Sequence, residues 1–167
     1  MLTLVLAVSA LLDCGDVRGA RPETDPALTA RFMRIRERSG LGVALGFCRM
    51  PDRGNPTAGS RMTMGRRGGY VYISERGRRF SSPAQDALLA HELAHLVLSE
   101  GEEEPPFWHV MEYREYLERE TKADALGATW VGRGAFAAAF SESLSAHDRG
   151  PGFIKEITYR DLKLKGW

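Results

Sequence analysis

The sequence predicts one α+β domain, with a small antiparallel or mixed sheet of about three strands packed against helices. The chain has 167 residues, of which 43% are hydrophobic and 27% are charged, as in a single globular domain. Short runs rich in aromatic and β-branched residues lie between residues 43 and 74. Segments with helical spacing of apolar residues lie before and after them. We therefore expect residues 1–167 to form one domain.

An apolar run from Leu2 to Leu12 opens the chain. It has the length of a signal-peptide core and is too short to span a bilayer as a helix, so no transmembrane segment is predicted. No basic region precedes it. Residues 1–20 are therefore interpreted as a packed N-terminal segment of a cytoplasmic protein, with a removed signal and secretion as the alternative.

Charge and cysteine content argue against several kinds of protein. Lys and Arg total 23 against 22 for Asp and Glu, so a net charge of +1 gives no reason to expect nucleic acid as a partner. Cys14 and Cys48 are too few for a disulfide scaffold and either form one bridge or remain free. Arginines near the predicted strands are interpreted as a solvated surface, with a phosphate or acidic-peptide contact as the alternative. They are Arg61, Arg66, Arg67, Arg76, Arg78 and Arg79.

The first helix and the strands follow in order along the chain. Asp25 is predicted to be a helix N-cap, with Pro26 at the first helical position, and Gly40 ends the helix. Pro51–Ser60 is predicted to be a turn or loop. The predicted strands are Val43–Cys48, Met62–Met64 and Gly69–Ser74.

The second helix has the clearest start signal in the sequence. Ser82 is its predicted N-cap, Pro83 its first position, and Gln85 completes a capping box. This helix is expected to end near Gly101. Further helices are predicted from about Phe107 to Val131 and from about Ala135 to Leu144, whereas the tail, residues 150–167, favours neither strand nor helix.

The second helix contains the motif HELAH at residues 91–95. Because His91 and His95 are four residues apart, their imidazoles leave the same helical face one turn apart and are able to bind one Zn²⁺. Glu92 lies beside them and is the candidate general base for a water activated by the metal. A chance pair of surface histidines is the alternative, but Leu93 and Leu96 give this helix a side to bury. We therefore predict one zinc per chain.

A catalytic zinc needs a third protein ligand and an open fourth position. The extended metzincin pattern is absent after His95, so the ligand is sought on the next predicted helix. The candidates are His109, Glu112, Glu115, Glu118 and Glu120. Glu120 is favoured because Asp124 lies four residues later on the same face and is able to accept the free ring N–H of a ligand histidine. Ala123 and Gly127 on this face are small, so two helices can approach closely; a solvated acidic face is the alternative for both carboxylates.

HELAH followed 25 residues later by the glutamate of an ExxAD motif, Glu120 to Asp124, resembles the gluzincin metallopeptidases. The continuation as ALGA at residues 125–128 resembles the HtpX-like, CaaX-prenyl-protease and BlaR-like peptidases. The short connection and small size resemble the ImmA/IrrE-type peptidases instead. The resemblance covers about residues 82–128, and the transmembrane helices usual in HtpX-like and BlaR-like proteins are not predicted here.

The resemblance implies a zincin-like fold, in which the sheet packs on the HExxH helix and an edge strand borders the cleft. We expect Gly69–Ser74 to be that edge, to which an extended substrate would add as a further strand. The implied function is a zinc-dependent endopeptidase acting on a protein or peptide. A catalytically idle binding or regulatory protein of the same fold is the alternative, although it would have no use for Glu92. Candidates for the oxyanion stabiliser are His109, Tyr113, Tyr116 and His147.

Overall fold

The structure is a computed structural model that describes Cys14 and residues 19–52, 57–62, 68–99, 112–145 and 151–166. Within these residues the protein is α+β, as predicted, with five helices and a four-stranded mixed sheet. The strands are β1 (Arg21–Pro22), β2 (Ala44–Met50), β3 (Ala58–Met62) and β4 (Gly68–Ser74). The helices are α1 (Pro26–Ser39), α2 (Ser82–Leu98), α3 (Tyr113–Val131), α4 (Arg133–Ser145) and α5 (Pro151–Lys165).

The sheet has the strand order β1-β2-β4-β3, which differs from the prediction in the number of strands. β4 pairs in parallel with β2 and antiparallel with β3. β1 has only two residues, one of them a proline, so no alternating pattern marked it as a strand. β3 begins at Ala58, inside the segment predicted to be a turn, and overlaps the predicted strand 62–64 only at Met62. Residues 63 and 64 lie outside the described residues.

The prediction that Gly69–Ser74 forms an edge of the sheet is wrong. β4 lies between β2 and β3, and the edges among the described strands are β1 and β3. All residues of β4 except Tyr72 are buried, which is typical of a strand covered on both faces. The edge next to the helices is therefore formed by β3, whose sequence AGSRM contains no aromatic or β-branched residue.

The first helix, α1, has the predicted ends. The Asp25 carboxylate accepts hydrogen bonds from the backbone N–H groups of residues 27 and 28, at 2.9 and 3.1 Å. Gly40 closes the helix with a φ of 70°, a left-handed conformation that glycine adopts without a steric penalty. Phe32 on the buried face stacks on Phe47 of β2 with ring centroids 4.4 Å apart, so α1 packs on the sheet.

The predicted capping box at the start of α2 is not formed. Ser81 rather than Ser82 is the N-cap, and its hydroxyl donates to Glu142 of α4 instead of accepting from the helix. The side-chain amide of Gln85 donates to the backbone carbonyl of Arg78 at 2.7 Å. These side chains therefore bind other segments of the protein, and these tertiary contacts replace the local capping hydrogen bonds that the sequence pattern predicts.

The main hydrophobic core lies between the sheet and the helices. α2 is its central element and packs against α1, α3, α4 and β3. The opposite face of the sheet carries a smaller cluster of Cys14, Cys48 and Tyr70. A disulfide joins Cys14 to Cys48, with Cα atoms 6.1 Å apart. Of the two possibilities that the sequence left open, the cysteines therefore form one bridge and are not free thiols.

The C-terminal tail, which the sequence left undecided, forms helix α5. Ile157 on this helix is buried against the main core. α3 begins at Tyr113, and the predicted helical start at residues 107–111 lies outside the described residues, as do Gly101 and the apolar run Leu2–Leu12. Among the helices of the described part of the chain, none combines the length and the apolar character needed to cross a membrane.

Candidate metal centre

The motif histidines and Glu92 lie in the middle of α2, where packing surrounds the helix. His91 and Glu92 are buried, with 8% and 9% of their surfaces exposed, although both are polar. His91 and His95 face α3, whereas Glu92 faces β3. A buried polar group is costly unless it is hydrogen-bonded, so their partners decide what these side chains do.

α3 brings Glu120 and Asp124 to the same place. α2 and α3 pack closely because Gly127 has no side chain: a Cβ built there would lie 3.1 Å from the backbone carbonyl of Ala90. Ala123, one turn before Gly127 on α3, is fully buried. The small residues noted in the sequence therefore allow the approach that puts Glu120 beside the histidines.

Three side chains converge to form a candidate metal site. Nε2 of His91 lies 3.0 Å from Nε2 of His95. The two oxygens of Glu120 lie 3.2 and 3.1 Å from Nε2 of His91 and Nε2 of His95, respectively. Within the described residues this is the one group of three His, Cys, Asp or Glu side chains close enough to share an ion.

The spacing of these atoms fits a small divalent cation. A tetrahedral zinc bonded at about 2.0–2.1 Å holds its ligand atoms about 3.3–3.4 Å apart, within a few tenths of an ångström of the separations between His91, His95 and Glu120. Two imidazoles and one carboxylate are also a donor set that zinc uses in catalytic sites. The residues present therefore fit the ion that the motif implies.

Asp124 makes the contact expected of it. Its Oδ1 lies 2.9 Å from Nδ1 of His91, and the side chain is 1% exposed. With the ring proton on Nδ1 donated to Asp124, Nε2 of His91 points to the candidate site with its lone pair. Asp124 itself stands outside the group of three.

Arg160 of α5 is a residue of this site that the sequence did not identify. Its Nε and Nη2 both lie 2.7 Å from the carboxylate oxygens of Asp124, and Nη1 lies 2.9 Å from Glu120. The side chain is 10% exposed. In a helical tail Arg160 shares a face with Phe153, Ile157 and Leu164, a pattern that predicts its burial but not its partners on α3.

The charged groups of the site shift one another's protonation. Burial and then the charge of Arg160 lower the pKa of His91, but hydrogen bonds with Asp124 and Glu120 outweigh them and raise it to about 9. Burial raises the pKa of Glu120, but hydrogen bonds from His91 and His95 hold it well below its usual range. Without metal, His91 is therefore protonated at neutral pH, and an ion binding at Nε2 must displace that proton.

Glu92 has different surroundings from Glu120. The hydroxyl of Ser60 on β3 donates to Oε2 of Glu92 at 2.9 Å. Burial, followed by the charge of Glu92, raises the pKa of Tyr72 on β4, so that phenol stays neutral near the carboxylate. Glu92 is thus held by a hydroxyl on the sheet and is not one of the three converging side chains.

The other carboxylates considered as the third ligand lie away from the histidines. Glu112, Glu115 and Glu118 are exposed, and Glu118 accepts a hydrogen bond from Arg114 at 3.1 Å. His109 lies outside the described residues. Glu120 is thus the one sequence candidate on α3 that the structure brings to His91 and His95.

None of the described oxyanion candidates points clearly to the site. Tyr113 is 59% exposed, and the hydroxyl of Tyr116 donates to Glu156 of α5 at 3.0 Å. Burial and the charge of Glu120 raise the pKa of Tyr116, which keeps its proton. His109 and His147 lie outside the described residues.

Two of the arginines near the strands, Arg78 and Arg79, are paired with acidic side chains. Arg78 lies 3.2 Å from both Glu23 and Glu75, and Arg79 lies 3.6 Å from Asp52. Arg79 is exposed, as expected for a solvated surface, whereas Arg78 is largely buried against Glu23. Arg66 and Arg67 lie outside the described residues.

Comparisons of this chain with protein-family models, with curated proteins and with solved structures gave no match. The resemblance to gluzincins therefore rests on HELAH at residues 91–95 and on the pair Glu120 and Asp124. The zincin-like fold stays a prediction beyond the observed α+β class. What the site does is inferred below from its own geometry and chemistry.

Proposed function

We propose that this protein is a zinc-dependent endopeptidase. The proposal is supported chiefly by one arrangement: Nε2 of His91, Nε2 of His95 and the carboxylate of Glu120 lie 3.0–3.2 Å apart, and Glu92 follows His91 on the same helix. Structural zinc sites use four protein ligands, whereas catalytic sites use three and keep one position open. The described part of the chain supplies three.

Each residue then has a separate task. His91, His95 and Glu120 would hold the ion, and Asp124 would keep the ring proton of His91 on Nδ1. Bound zinc would lower the pKa of water toward about 7 and polarise a peptide carbonyl. Glu92 would accept a proton from that water and deliver it to the leaving nitrogen, while the Ser60 hydroxyl holds one oxygen of its carboxylate in place.

The peptide substrate would lie along β3. Among the described strands β3 is an edge, and its Ser60 touches Glu92, so a peptide paired to its outer side would run past the base. An extended backbone adds to such an edge through main-chain hydrogen bonds, which favours unfolded segments or loops over folded substrates. The proposed substrate class is therefore an extended polypeptide.

Metal content of the purified protein is the first test. We expect one Zn²⁺ per chain by elemental analysis in wild type, and loss of stoichiometric zinc in His91→Ala and Glu120→Ala. Glu118→Gln is the matched control, because Glu118 is on the same helix but exposed and away from the histidines. Full zinc in His91→Ala would show that the site is assigned wrongly.

Hydrolysis of an unfolded protein substrate is the second test. Wild type should release fragments that mass spectrometry identifies as cleaved peptide bonds, and a chelator should stop the reaction. Glu92→Gln should keep its zinc and lose activity, because an amide does not accept the proton. A zinc-loaded wild type that cleaves no peptide would instead support the idle binding protein.

A further inference from the structure

Arg160 makes more contacts with the candidate metal centre than its position near the end of the chain suggests. Its guanidinium bonds both oxygens of Asp124 at 2.7 Å through Nε and Nη2. Nη1 reaches Glu120 at 2.9 Å and Glu156 at 3.3 Å. The ring of Phe140 lies under the guanidinium, 5.6 Å from its central carbon. One side chain thus joins α5 to two acidic residues of α3.

The hydrogen-bond pattern makes Asp124 the link between Arg160 and His91. Oδ1 of Asp124 accepts from Nδ1 of His91 at 2.9 Å and from Nη2 of Arg160 at 2.7 Å. Nη2 and Nδ1 are 3.3 Å apart, but both carry protons, so they share the acceptor and do not bond to each other. The orientation of the carboxylate, and with it that of the imidazole, therefore depends on the guanidinium.

We propose that Arg160 is a positioning residue of the metal centre, which orients His91 through Asp124 and fixes the carboxylate of Glu120 directly. This rests on the metal binding of the proposed function. Two parallel N–H···O bonds to one carboxylate hold both the position and the plane of the acid, which a lysine does not do.

Charge and geometry act on zinc binding in opposite directions. The positive charge of Arg160 near the site disfavours binding of a divalent cation. A neutral substitution of Arg160 would therefore change zinc affinity in two opposite ways, through lost orientation of the ligands and through lost repulsion. Arg160→Lys keeps the charge and removes the planar fork. This variant therefore isolates the positioning role.

The test is zinc affinity, measured by competition with a fluorescent chelator, together with the melting temperature of the metal-free protein. We expect Arg160→Lys to bind zinc about 10–100-fold more weakly than wild type, the usual effect of removing a partner of a metal ligand. Arg114→Lys is the control, because Arg114 is 89% exposed and pairs only with Glu118 among the described residues; its affinity should not change. A lower melting temperature of Arg160→Lys with unchanged affinity would reduce Arg160 to a structural role and overturn the proposal.

A double-mutant cycle tests the route through Asp124. If Arg160 acts on His91 through this carboxylate, Arg160→Lys should cost much less affinity in an Asp124→Asn background than in wild type. Equal and additive losses would overturn that route. If Arg160→Lys does not fold, Glu156→Gln removes one ion-pair partner of the guanidinium and should weaken zinc binding. Asp161→Asn is its control, because it makes a similar charge change on the same helix and should weaken zinc binding less. Equal effects of the two variants would count against the proposal.

The outcomes separate this inference from the proposed function. If wild type binds zinc but hydrolyses no peptide, the proposed peptidase activity is wrong. The zinc affinity of Arg160→Lys still tests the role of Arg160 in that case. A wild type that binds no zinc removes both. Equal zinc affinity in wild type and Arg160→Lys removes the inference alone.

Discussion

Glu92 and Glu120 are both glutamates near the same two histidines, yet their partners give them different chemistry. Glu120 meets His91, His95 and Arg160, so its carboxylate is surrounded by groups that stabilise its charge and its pKa is low. Glu92 meets the neutral hydroxyl of Ser60. A strongly stabilised carboxylate suits a metal ligand, whereas Glu92, the proposed base, is held by one hydrogen bond from the sheet.

Asp124→Asn should weaken zinc binding by about 10–100-fold, the range for loss of a partner of a ligand histidine. The carboxylate accepts three hydrogen bonds, one from His91 and two from Arg160. An amide has one acceptor oxygen, and its NH₂ group would face an N–H donor, so asparagine cannot accept all three. A competition titration beside Glu120→Ala checks this, because loss of a ligand should cost more. If the Asn variant binds zinc with wild-type affinity, Asp124 has no part in metal binding.

The sequence predicted those site residues whose spacing is a single helical turn. His91 and His95 are one turn apart, as are Glu120 and Asp124, and helical geometry alone puts each pair on one face. Arg160 was missed because its partners in the site, Asp124 and Glu120, are 36 and 40 residues away in sequence and on another helix. No local spacing contains such a contact.

At the scale of elements, the packing of α2 on α3 controls how far apart the two halves of the site lie. Gly127 follows Asp124 by three residues and lies against Ala90, next to His91. The elements themselves were easier to predict than their partners. α1 has the expected caps, but β4 was assigned to an edge, because sequence order does not reveal that a later strand inserts between two earlier ones.

Gly127→Ala should destabilise the protein, although alanine is the better helix former. Its Cβ would lie 2.9 Å from Cζ of Phe136 and 3.1 Å from the backbone of Ala90, and overpacking of this kind costs about 1–3 kcal/mol. The gain in helix propensity offsets about 1 kcal/mol at most. Urea denaturation measures the net change, which we expect to be a loss.

Gly134→Ala provides the comparison. Gly134 lies in α4, and nothing stands within 4 Å of a Cβ added there. This variant should be as stable as wild type or slightly more stable. Equal stability changes in the two variants would mean that the α2–α3 contact is not tightly packed at Gly127.

At the scale of the whole molecule, the disulfide and the candidate metal centre lie on opposite faces of the sheet. Cys14 and Cys48 belong to the small cluster on one face, whereas α2 and α3 cover the other. The bridge joins residues 34 apart in sequence. Two cysteines alone did not decide between a bridge and free thiols, since that choice depends on the distance between their Cα atoms in the fold.

Cys14→Ala/Cys48→Ala should lower the free energy of unfolding by about 3–4 kcal/mol, the entropic effect expected for a closed loop of this length. Zinc affinity of the folded variant should be unchanged, because neither cysteine touches the site. Denaturation and zinc titration of the same preparation check both statements. An unchanged unfolding midpoint would contradict the first, and weaker zinc binding would contradict the separation of the two faces.

The insertion of β4 between β2 and β3 also bears on the order in which the protein is assembled. Among the described strands, β3 pairs only with β4, which comes later in the chain. The backbone groups of β3 that face β4 therefore have no ladder partner until residues 68–74 are in place. Parallel pairing of β2 with β4 is itself a non-local step of the kind that forms slowly. Ser60 thus takes its place beside Glu92 only after a later part of the chain has folded.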